Sequence, residues 1–191
     1  MDPRATLVTE ISRLSARERR LISSYRGRKP NMQPEPDKLA ALIDTARALD
    51  AAGVHYALIG GLAVGIHAAV PRATVDVDVA AHLGAGREGA VKALERAGFT
   101  KTGEFRHSVN FRHVSGEPVQ LAFDPDFDAM IERAETLELA GVRIAIVRKD
   151  DLIAMKRRAA ADPTRRKSKR LRDQADVELL LGDVPDPNEG W

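Results

Sequence analysis

The most constraining feature of this sequence is a Gly-Gly pair that separates two apolar segments. Residues 55–59 have the composition of a short buried strand, and Gly60-Gly61 interrupts this strand before an apolar helix over residues 62–69. Pro71 ends the helix, and residues 72–79 are predicted to form a second strand. A strand, a glycine turn, a helix and another strand within so short a stretch predict an α/β domain.

The second predicted strand carries two carboxylates on one face. Alternation places Val75, Val77 and Val79 on one side of the strand, and Arg72, Thr74, Asp76 and Asp78 on the other. Two carboxylates in this arrangement repel each other unless a cation lies between them, and carboxylate oxygens are the ligands that Mg²⁺ prefers. A polar strand face turned toward solvent would show the same pattern, so both interpretations stay open for the pair alone.

The glycine turn favours the metal interpretation. Gly60 and Gly61 follow a strand and open a helix, so a ligand can approach backbone N–H groups at the positive end of the helix. This geometry suits a phosphate group. An ordinary strand-to-helix turn is the alternative, but the turn and the acidic strand face lie close together in the sequence.

The rest of the chain predicts an α/β (α+β) fold, in which a mixed sheet is flanked by helices. The further predicted helices are 4–25, 37–52, 87–97, 126–137, 150–160 and 168–181, and the further predicted strands are 109–114, 119–123 and 141–147. We divide the chain into an N-terminal basic helical arm with its linker, 1–33, and one domain, 34–191. The arm is a candidate for dimerisation or docking, and hence for an oligomer.

Composition excludes several classes of function. The chain has no cysteine, which rules out disulfides, cysteine-bound zinc and thiol catalysis. It has no apolar run long enough for a membrane span and no secretory signal at its start, so we expect a cytoplasmic protein without a membrane partner. Eight Lys/Arg in residues 1–30 and nine in residues 156–172 suggest a polyanion partner, although solvated helix faces would explain them equally well.

Two segments resemble the core motif of the DNA polymerase β-like nucleotidyltransferase superfamily. They are Gly60-Gly61-Leu62-Ala63-Val64 and Arg72-Ala73-Thr74-Val75-Asp76-Val77-Asp78. The chain is most similar to the small bacterial branch that includes the abortive-infection nucleotidyltransferase toxins. The similarity continues in residues 150–156, where a helix bears Lys156, and in residues 172–177, an Arg-Asp-x-x-Asp pattern on a final helix.

The resemblance implies a role for each matching position. Gly60 and Gly61 would hold the triphosphate of an NTP substrate, and Asp76 and Asp78 would hold Mg²⁺ or Mn²⁺ and serve catalysis. Arg72 and Thr74 would support the nucleotide. Lys156 would offer a positive charge to phosphate. Asp173 and Asp176 would orient Lys156 or its basic neighbours, unless they serve only as carboxylates in the N-terminal half of a helix.

The sequence departs from the family pattern at one position. The family usually places a third acid on a later strand, where this chain has Val119-Gln120-Leu121-Ala122-Phe123 and alternation puts Gln120 on the polar face. A neutral amide cannot act as a base and is a poor ligand for Mg²⁺. Asp124 shares that face but lies four residues further on, about 13 Å along a strand.

Three hypotheses follow. The first is transfer of a nucleoside monophosphate from an NTP to a hydroxyl of RNA, such as tRNA, or of a protein, as a toxin or defence component with an acceptor or antitoxin partner. The second is a catalytically degenerate domain that binds nucleotide, nucleic acid or a protein, which Gln120 favours and the Asp76/Asp78 pair opposes. The third is a basic nucleic-acid-binding protein for which the fold is only a scaffold.

Overall fold

The computed structural model describes residues 2–25 and 36–183. Its strands are Tyr56–Ile59 (β1), Val77–Ala81 (β2), Thr100–Phe105 (β3), Ser108–Arg112 (β4), Pro118–Ala122 (β5), Glu135–Leu139 (β6) and Val142–Ile146 (β7). Its α-helices are Pro3–Tyr25 (α1), Lys38–Ala51 (α2), Gly60–Ala68 (α3), Arg87–Arg96 (α4), Pro125–Glu132 (α5), Lys149–Ala161 (α6) and Lys167–Leu181 (α7).

The seven strands form one mixed sheet in the order β3-β4-β5-β2-β1-β7-β6. The two central strands, β1 and β2, are antiparallel to each other, while β2 runs parallel to β5 and β1 runs parallel to β7. The apolar residues of these strands are buried, with Leu58, Val79 and Leu121 fully enclosed. The predicted fold class, a mixed sheet flanked by helices, is confirmed.

The second predicted strand is shorter than its alternation indicated. β2 begins at Val77, and residues 71–76 form an irregular segment, here called the Asp76 loop. Neither neighbouring strand can pair with residues that precede Val77. β5 begins at Pro118, which has no backbone N–H for a further hydrogen bond of the ladder, and β1 ends at Ile59, where Gly60 begins α3.

The shorter strand changes the predicted faces. Val77 and Val79 are buried as the alternation predicted, whereas Val75 is 58% exposed because it lies on the Asp76 loop. Asp78 lies on β2, and Asp76 precedes it. The Asp78 carboxylate is thus carried by a strand of the sheet, whereas the Asp76 carboxylate is carried by the irregular segment before it.

The predicted helix over 126–137 is also wrong at its C-terminal end. α5 ends at Glu132, and residues 135–139 form the edge strand β6, which a two-residue turn joins to β7. Ala140 and Gly141 both have positive φ, as a type I′ hairpin turn requires. Strand β3 was not predicted at all, since its sequence, Thr-Lys-Thr-Gly-Glu-Phe, is almost wholly exposed and gives no apolar periodicity.

The N-terminal helix packs on the rest of the fold. Val8 and Ile11 of α1 are fully buried, and α1 lies against α2 and α3. The contact with α3 is close because Gly65 has no side chain: a Cβ there would lie 2.7 Å from the Ile11 Cδ1 atom. The predicted linker and the predicted boundary after residue 33 lie outside the described residues.

None of the helices in the described ranges combines the length and the hydropathy that a transmembrane span needs.

Candidate active site

The Gly60-Gly61 turn lies directly against the acidic residue of β2. Gly60 has a φ of +71°, and a Cβ at this position would overlap the Asp78 carboxylate. A Cβ on Gly61 would overlap the side chains of Arg72 and Thr74. Both positions therefore exclude larger residues, because the N-terminus of α3 lies so close to β2 and to the Asp76 loop that no room is left for a Cβ atom.

Asp78 occupies the centre of the sheet. It pairs in register with Ile59 of β1 on one side and with Gln120 of β5 on the other. Burial, which is the largest cause, and the negative charge of Asp76 together raise the pKa of the Asp78 carboxyl to about 7, against the opposing effect of nearby cations. An ionised Asp78 beside Asp76 is therefore unfavourable until another positive charge arrives.

Asp76 and Asp78 share one cleft of about 350 Å³ with most of the predicted site residues. The residues that line it are Gly61, Arg72, Thr74, Val75, Asp76, Asp78, Gln120, Lys156, Arg165, Lys169, Arg172 and Asp173. The acidic pair comes from the sheet, and the cations come mainly from α6, α7 and the segment between them. Two carboxylates beside a row of cations suit a divalent cation bound to phosphates. The cations of α7 in this row, Lys169 and Arg172, are called the basic wall below.

The acidic side chains of the cleft fit the divalent cation that the fold family implies. Asp76 and Asp78 supply two carboxylates, and Mg²⁺ in nucleotide sites is commonly held by one or two carboxylates together with phosphate oxygens and water. No group of three or more acidic or histidine side chains that could hold a metal occurs among the described residues. The two carboxylates fit a metal that arrives with a nucleotide.

Gln120 stands beside Asp78, at the position where the family pattern expects a third acid. Its Nε2 donates a hydrogen bond of 3.0 Å to the Oδ1 of Asn110 on β4. The amide is thus held by a second amide rather than by a charged group. Asp124 does not compensate, because its carboxylate caps α5 by accepting a hydrogen bond from the backbone N–H of Asp126 and does not line the cleft.

Lys156 belongs to a network of buried ion pairs on α6 and α7. Its Nζ lies 2.9 Å from Asp173 Oδ1 and 2.8 Å from Asp176 Oδ2. Asp176 also accepts two hydrogen bonds from the Arg72 guanidinium, and Asp173 accepts one of 3.0 Å from Arg165. Both carboxylates lie beyond the first turn of α7 and are almost fully buried, so stabilisation of the helix N-terminus does not explain them.

Sequence reasoning missed three cations of the cleft, Arg165, Lys169 and Arg172. Arg165 pairs with Asp173, whereas Lys169 and Arg172 have no ion pair within the part of the chain that the structure describes. A signal was present: Lys169, Arg172, Asp173 and Asp176 follow the i, i+3, i+4, i+7 spacing of one helix face. The basic block had been interpreted only as a polyanion surface or a solvated face.

The mixed sheet, the glycine turn and the paired carboxylates together define a nucleotidyltransferase fold. The chain belongs to the family described as Nucleotidyltransferase of unknown function (DUF6036), whose profile matches residues 37–187. The predicted superfamily is thereby confirmed. Helix α1 lies outside the matched region.

Several solved structures have a similar fold. An antigenic nucleotidyltransferase-like protein from Paracoccidioides brasiliensis is 21% identical, with 80% of each chain covered and a TM-score of 0.53. ANT(2")-Ia in complex with adenylyl-2"-tobramycin is 16% identical, with 78% of this chain and 91% of that chain covered and a TM-score of 0.54. The lincomycin-bound lincosamide antibiotic adenylyltransferase LnuA is 12% identical, with 80% and 99% covered and a TM-score of 0.53. A comparison with curated proteins gives no match.

The raised pKa of Asp78 predicts how stability depends on pH. Because the folded state holds this proton more tightly than the unfolded state, Asp78 stabilises the metal-free fold at low pH, and this contribution is lost as pH rises through about 7. Between pH 5 and pH 8 the wild type should lose about 2 kcal/mol more of its free energy of unfolding than Asp78→Asn. Urea unfolding in EDTA measures both values.

The control for this experiment is Glu135→Gln, which removes an exposed carboxylate on β6. It should follow the wild-type pH dependence. An Asp78→Asn variant that loses as much stability as the wild type between pH 5 and pH 8 would contradict the prediction.

Proposed function

We propose that this protein is a metal-dependent nucleotidyltransferase that transfers a nucleoside monophosphate from an NTP to a hydroxyl group. One observation carries the proposal: a single cleft contains two carboxylates, a glycine turn at a helix N-terminus, and two cations without ion pairs in the described structure. These are the groups that bind a metal and a triphosphate together. Membership of a nucleotidyltransferase family supports the same chemistry.

Each part of the cleft has a distinct task in this proposal. Asp76 and Asp78 hold Mg²⁺ or Mn²⁺, which when bound neutralises charge on the phosphates and activates the incoming hydroxyl. Gly60 and Gly61 let the triphosphate approach the backbone N–H groups of α3. Lys156 contributes a positive charge that Asp173 and Asp176 hold in place.

Arg72 and Thr74 support the turn from the Asp76 loop. Arg72 is held by Asp176 and also donates a hydrogen bond of 3.1 Å to the Ala73 carbonyl, so its guanidinium stiffens the loop on which it lies. Thr74 is buried against Gly61. Lys169 and Arg172 remain to pair with the phosphates of the substrate.

For the acceptor we retain the hypothesis of a hydroxyl on RNA or on a partner protein, with a role as a toxin or defence component. Exposed basic residues of α6 and α7 that do not line the cleft, such as Arg157 and Lys167, support an anionic acceptor. A small-molecule hydroxyl is the alternative, because two proteins of similar fold carry antibiotics or an adenylylated antibiotic in their structures. The acceptor class is therefore an outcome of the assay below.

The proposal predicts transfer of α-phosphate label from one of the four NTPs to an acceptor in the presence of Mg²⁺ or Mn²⁺. RNA, protein and small-molecule fractions of a lysate would be tested separately. Asp76→Asn and Asp78→Asn should each lower the rate by at least about 10³-fold, because each removes a ligand of the metal. Asp126→Asn, which alters an exposed carboxylate outside the cleft, is the matched control and should transfer normally.

Lys169 and Arg172 are predicted to act in nucleotide binding. Lys169→Ala and Arg172→Ala should each raise the KM for the NTP by about tenfold, since each removes one charge-assisted contact with phosphate. Lys167→Ala changes a lysine of the same helix that does not line the cleft, and it should leave KM unchanged. Equal KM values in all three variants would show that the basic wall does not bind the triphosphate.

The second candidate function is nucleotide binding without transfer, and Gln120 is the observation that favours it. An amide held by Asn110 cannot accept the proton of an incoming hydroxyl. The cleft would then bind the metal and the nucleotide, and the chemical step would be absent.

Gln120→Glu separates the two candidates. The new carboxylate would lie beside Asp78 in register, where it can bind the metal or accept a proton. If the wild type is an enzyme, the variant should transfer at least as fast, with a gain of about tenfold or more from general-base catalysis. Transfer by the variant together with an inactive wild type would establish the binding function for the natural chain.

A further inference from the structure

Helix α1 contacts the loop that carries one of the two metal-binding candidates. The Asp76 loop precedes β2, which begins at Val77, so the residues of the loop belong to no strand of the sheet. Backbone groups in such a segment need other partners. Two of those partners come from α1.

The first partner is Ser15, whose side chain is buried. Its Oγ accepts a hydrogen bond of 3.1 Å from the backbone N–H of Thr74 and donates one of 2.7 Å to the Ile11 carbonyl of its own helix. The hydroxyl therefore has both a donor and an acceptor role satisfied, and its position is set by the helix. Without Ser15, the buried N–H of Thr74 would lose this partner.

The second partner is Arg19, one turn further along α1. Its Nη1 donates a hydrogen bond of 3.3 Å to the carbonyl of Val75, the residue immediately before Asp76. Its Nη2 lies 3.5 Å from the fully buried carboxylate of Glu117, which also pairs with the fully buried ammonium of Lys38. Arg19 thus joins the loop to a charged pair inside the fold.

The charged group formed by Arg19, Lys38 and Glu117 carries a net positive charge next to the loop. Burial is the largest influence on the buried pair: it lowers the pKa of Lys38 and raises the pKa of Glu117. The negative charge of Asp76 also acts on both groups, which places Asp76 within electrostatic reach of them.

The start of α2 depends on the same helix. The Ser12 Oγ of α1 accepts a hydrogen bond of 3.0 Å from the backbone N–H of Lys38, the first residue of α2. Ser12, Ser15 and Arg19 are spaced i, i+3, i+7, so they share one face of α1. This face of α1 forms hydrogen bonds both with the first turn of α2 and with the Asp76 loop.

We propose that α1 is a positioning element of the active site, in which Ser15 and Arg19 hold the Asp76 loop in the conformation that binds the metal. This helix lies outside the region that the family profile matches. The inference rests on the proposed function only for its effect on metal binding, because the effect on the loop can be measured without it.

Hydrogen–deuterium exchange of the full chain, without metal or nucleotide, tests the effect on the loop. In Ser15→Ala and in Arg19→Gln, exchange in peptides covering residues 71–76 should be at least about tenfold faster than in the wild type, while exchange in β4 and β7 stays the same. Ser15→Thr and Arg19→Lys, which keep the hydroxyl and the charge, should restore most of the protection. Arg19 is only partly buried, so Arg19→Gln should disturb the fold less than Ser15→Ala. The test therefore remains valid if Ser15→Ala folds poorly.

The matched controls are on the same helix. Thr9→Ala removes a hydroxyl that donates a hydrogen bond to the Ala5 carbonyl of its own helix, and Arg13→Gln removes an exposed arginine paired with Glu10. Both should exchange like the wild type in the loop. Unchanged loop exchange in Ser15→Ala and Arg19→Gln would overturn the inference.

Mn²⁺ binding, followed by electron paramagnetic resonance, tests the consequence for the site. Arg19→Gln should weaken Mn²⁺ binding about tenfold, whereas Arg13→Gln should not. If the wild type binds no Mn²⁺ but the α1 variants lose the exchange protection of the Asp76 loop, the proposed function is refuted and the positioning role of α1 is supported. A wild type that binds Mn²⁺ as tightly as Arg19→Gln would overturn the positioning of the metal site by α1.

Discussion

The site depends on the cost of placing Asp78 inside the sheet beside a second carboxylate. Burial and the negative charge of Asp76 together raise the pKa of Asp78 to about 7. The surrounding structure accommodates this pair: Gly60 leaves room for the carboxylate, and Lys156, Lys38 and Arg72 lower its pKa in part. The compensation is incomplete, which is the condition under which a divalent cation binds with a favourable change in electrostatic energy.

The cations around the cleft fall into two groups with different physical roles. Lys156 and Arg72 are bonded to Asp173 and Asp176, so their geometry is fixed but much of their charge is already neutralised. Lys169 and Arg172 border the same cleft on α7 without an ion pair in the described structure. The first group keeps the walls of the cleft rigid, and the second is free to pair with the phosphates of a ligand. Helix α1 also supports the loop before β2, so the site is held both by the region that the family profile matches and by a helix outside it.

The sequence predicted the fold class, the glycine turn and the acidic pair, because each depends on residues close together in the chain. The start of β2 was beyond its reach, since Pro118 of the neighbouring strand limits it from about forty residues away. Edge strand β6 was assigned to a helix because its Glu and Leu residues are good helix formers, and only pairing with β7 decides otherwise. The bond between Ser15 and Thr74 joins residues far apart in sequence, and no local pattern indicates it. The alternation that puts Gln120 on the polar face agrees with the burial of Val119 and Leu121, whereas its register with Asp78 and its hydrogen bond to Asn110 needed the structure.

We expect Asp76 and Asp78 to bind one metal–nucleotide complex together with the glycine turn and with Lys169 and Arg172 of α7. Calorimetric titration with a non-hydrolysable NTP analogue tests this, with Mn²⁺ and with EDTA, on the wild type and on the Asp76→Asn/Asp78→Asn double variant. Binding by the wild type should require the metal, and binding by the double variant should be at least about tenfold weaker. Binding that is equally tight without metal and in the double variant would contradict this expectation.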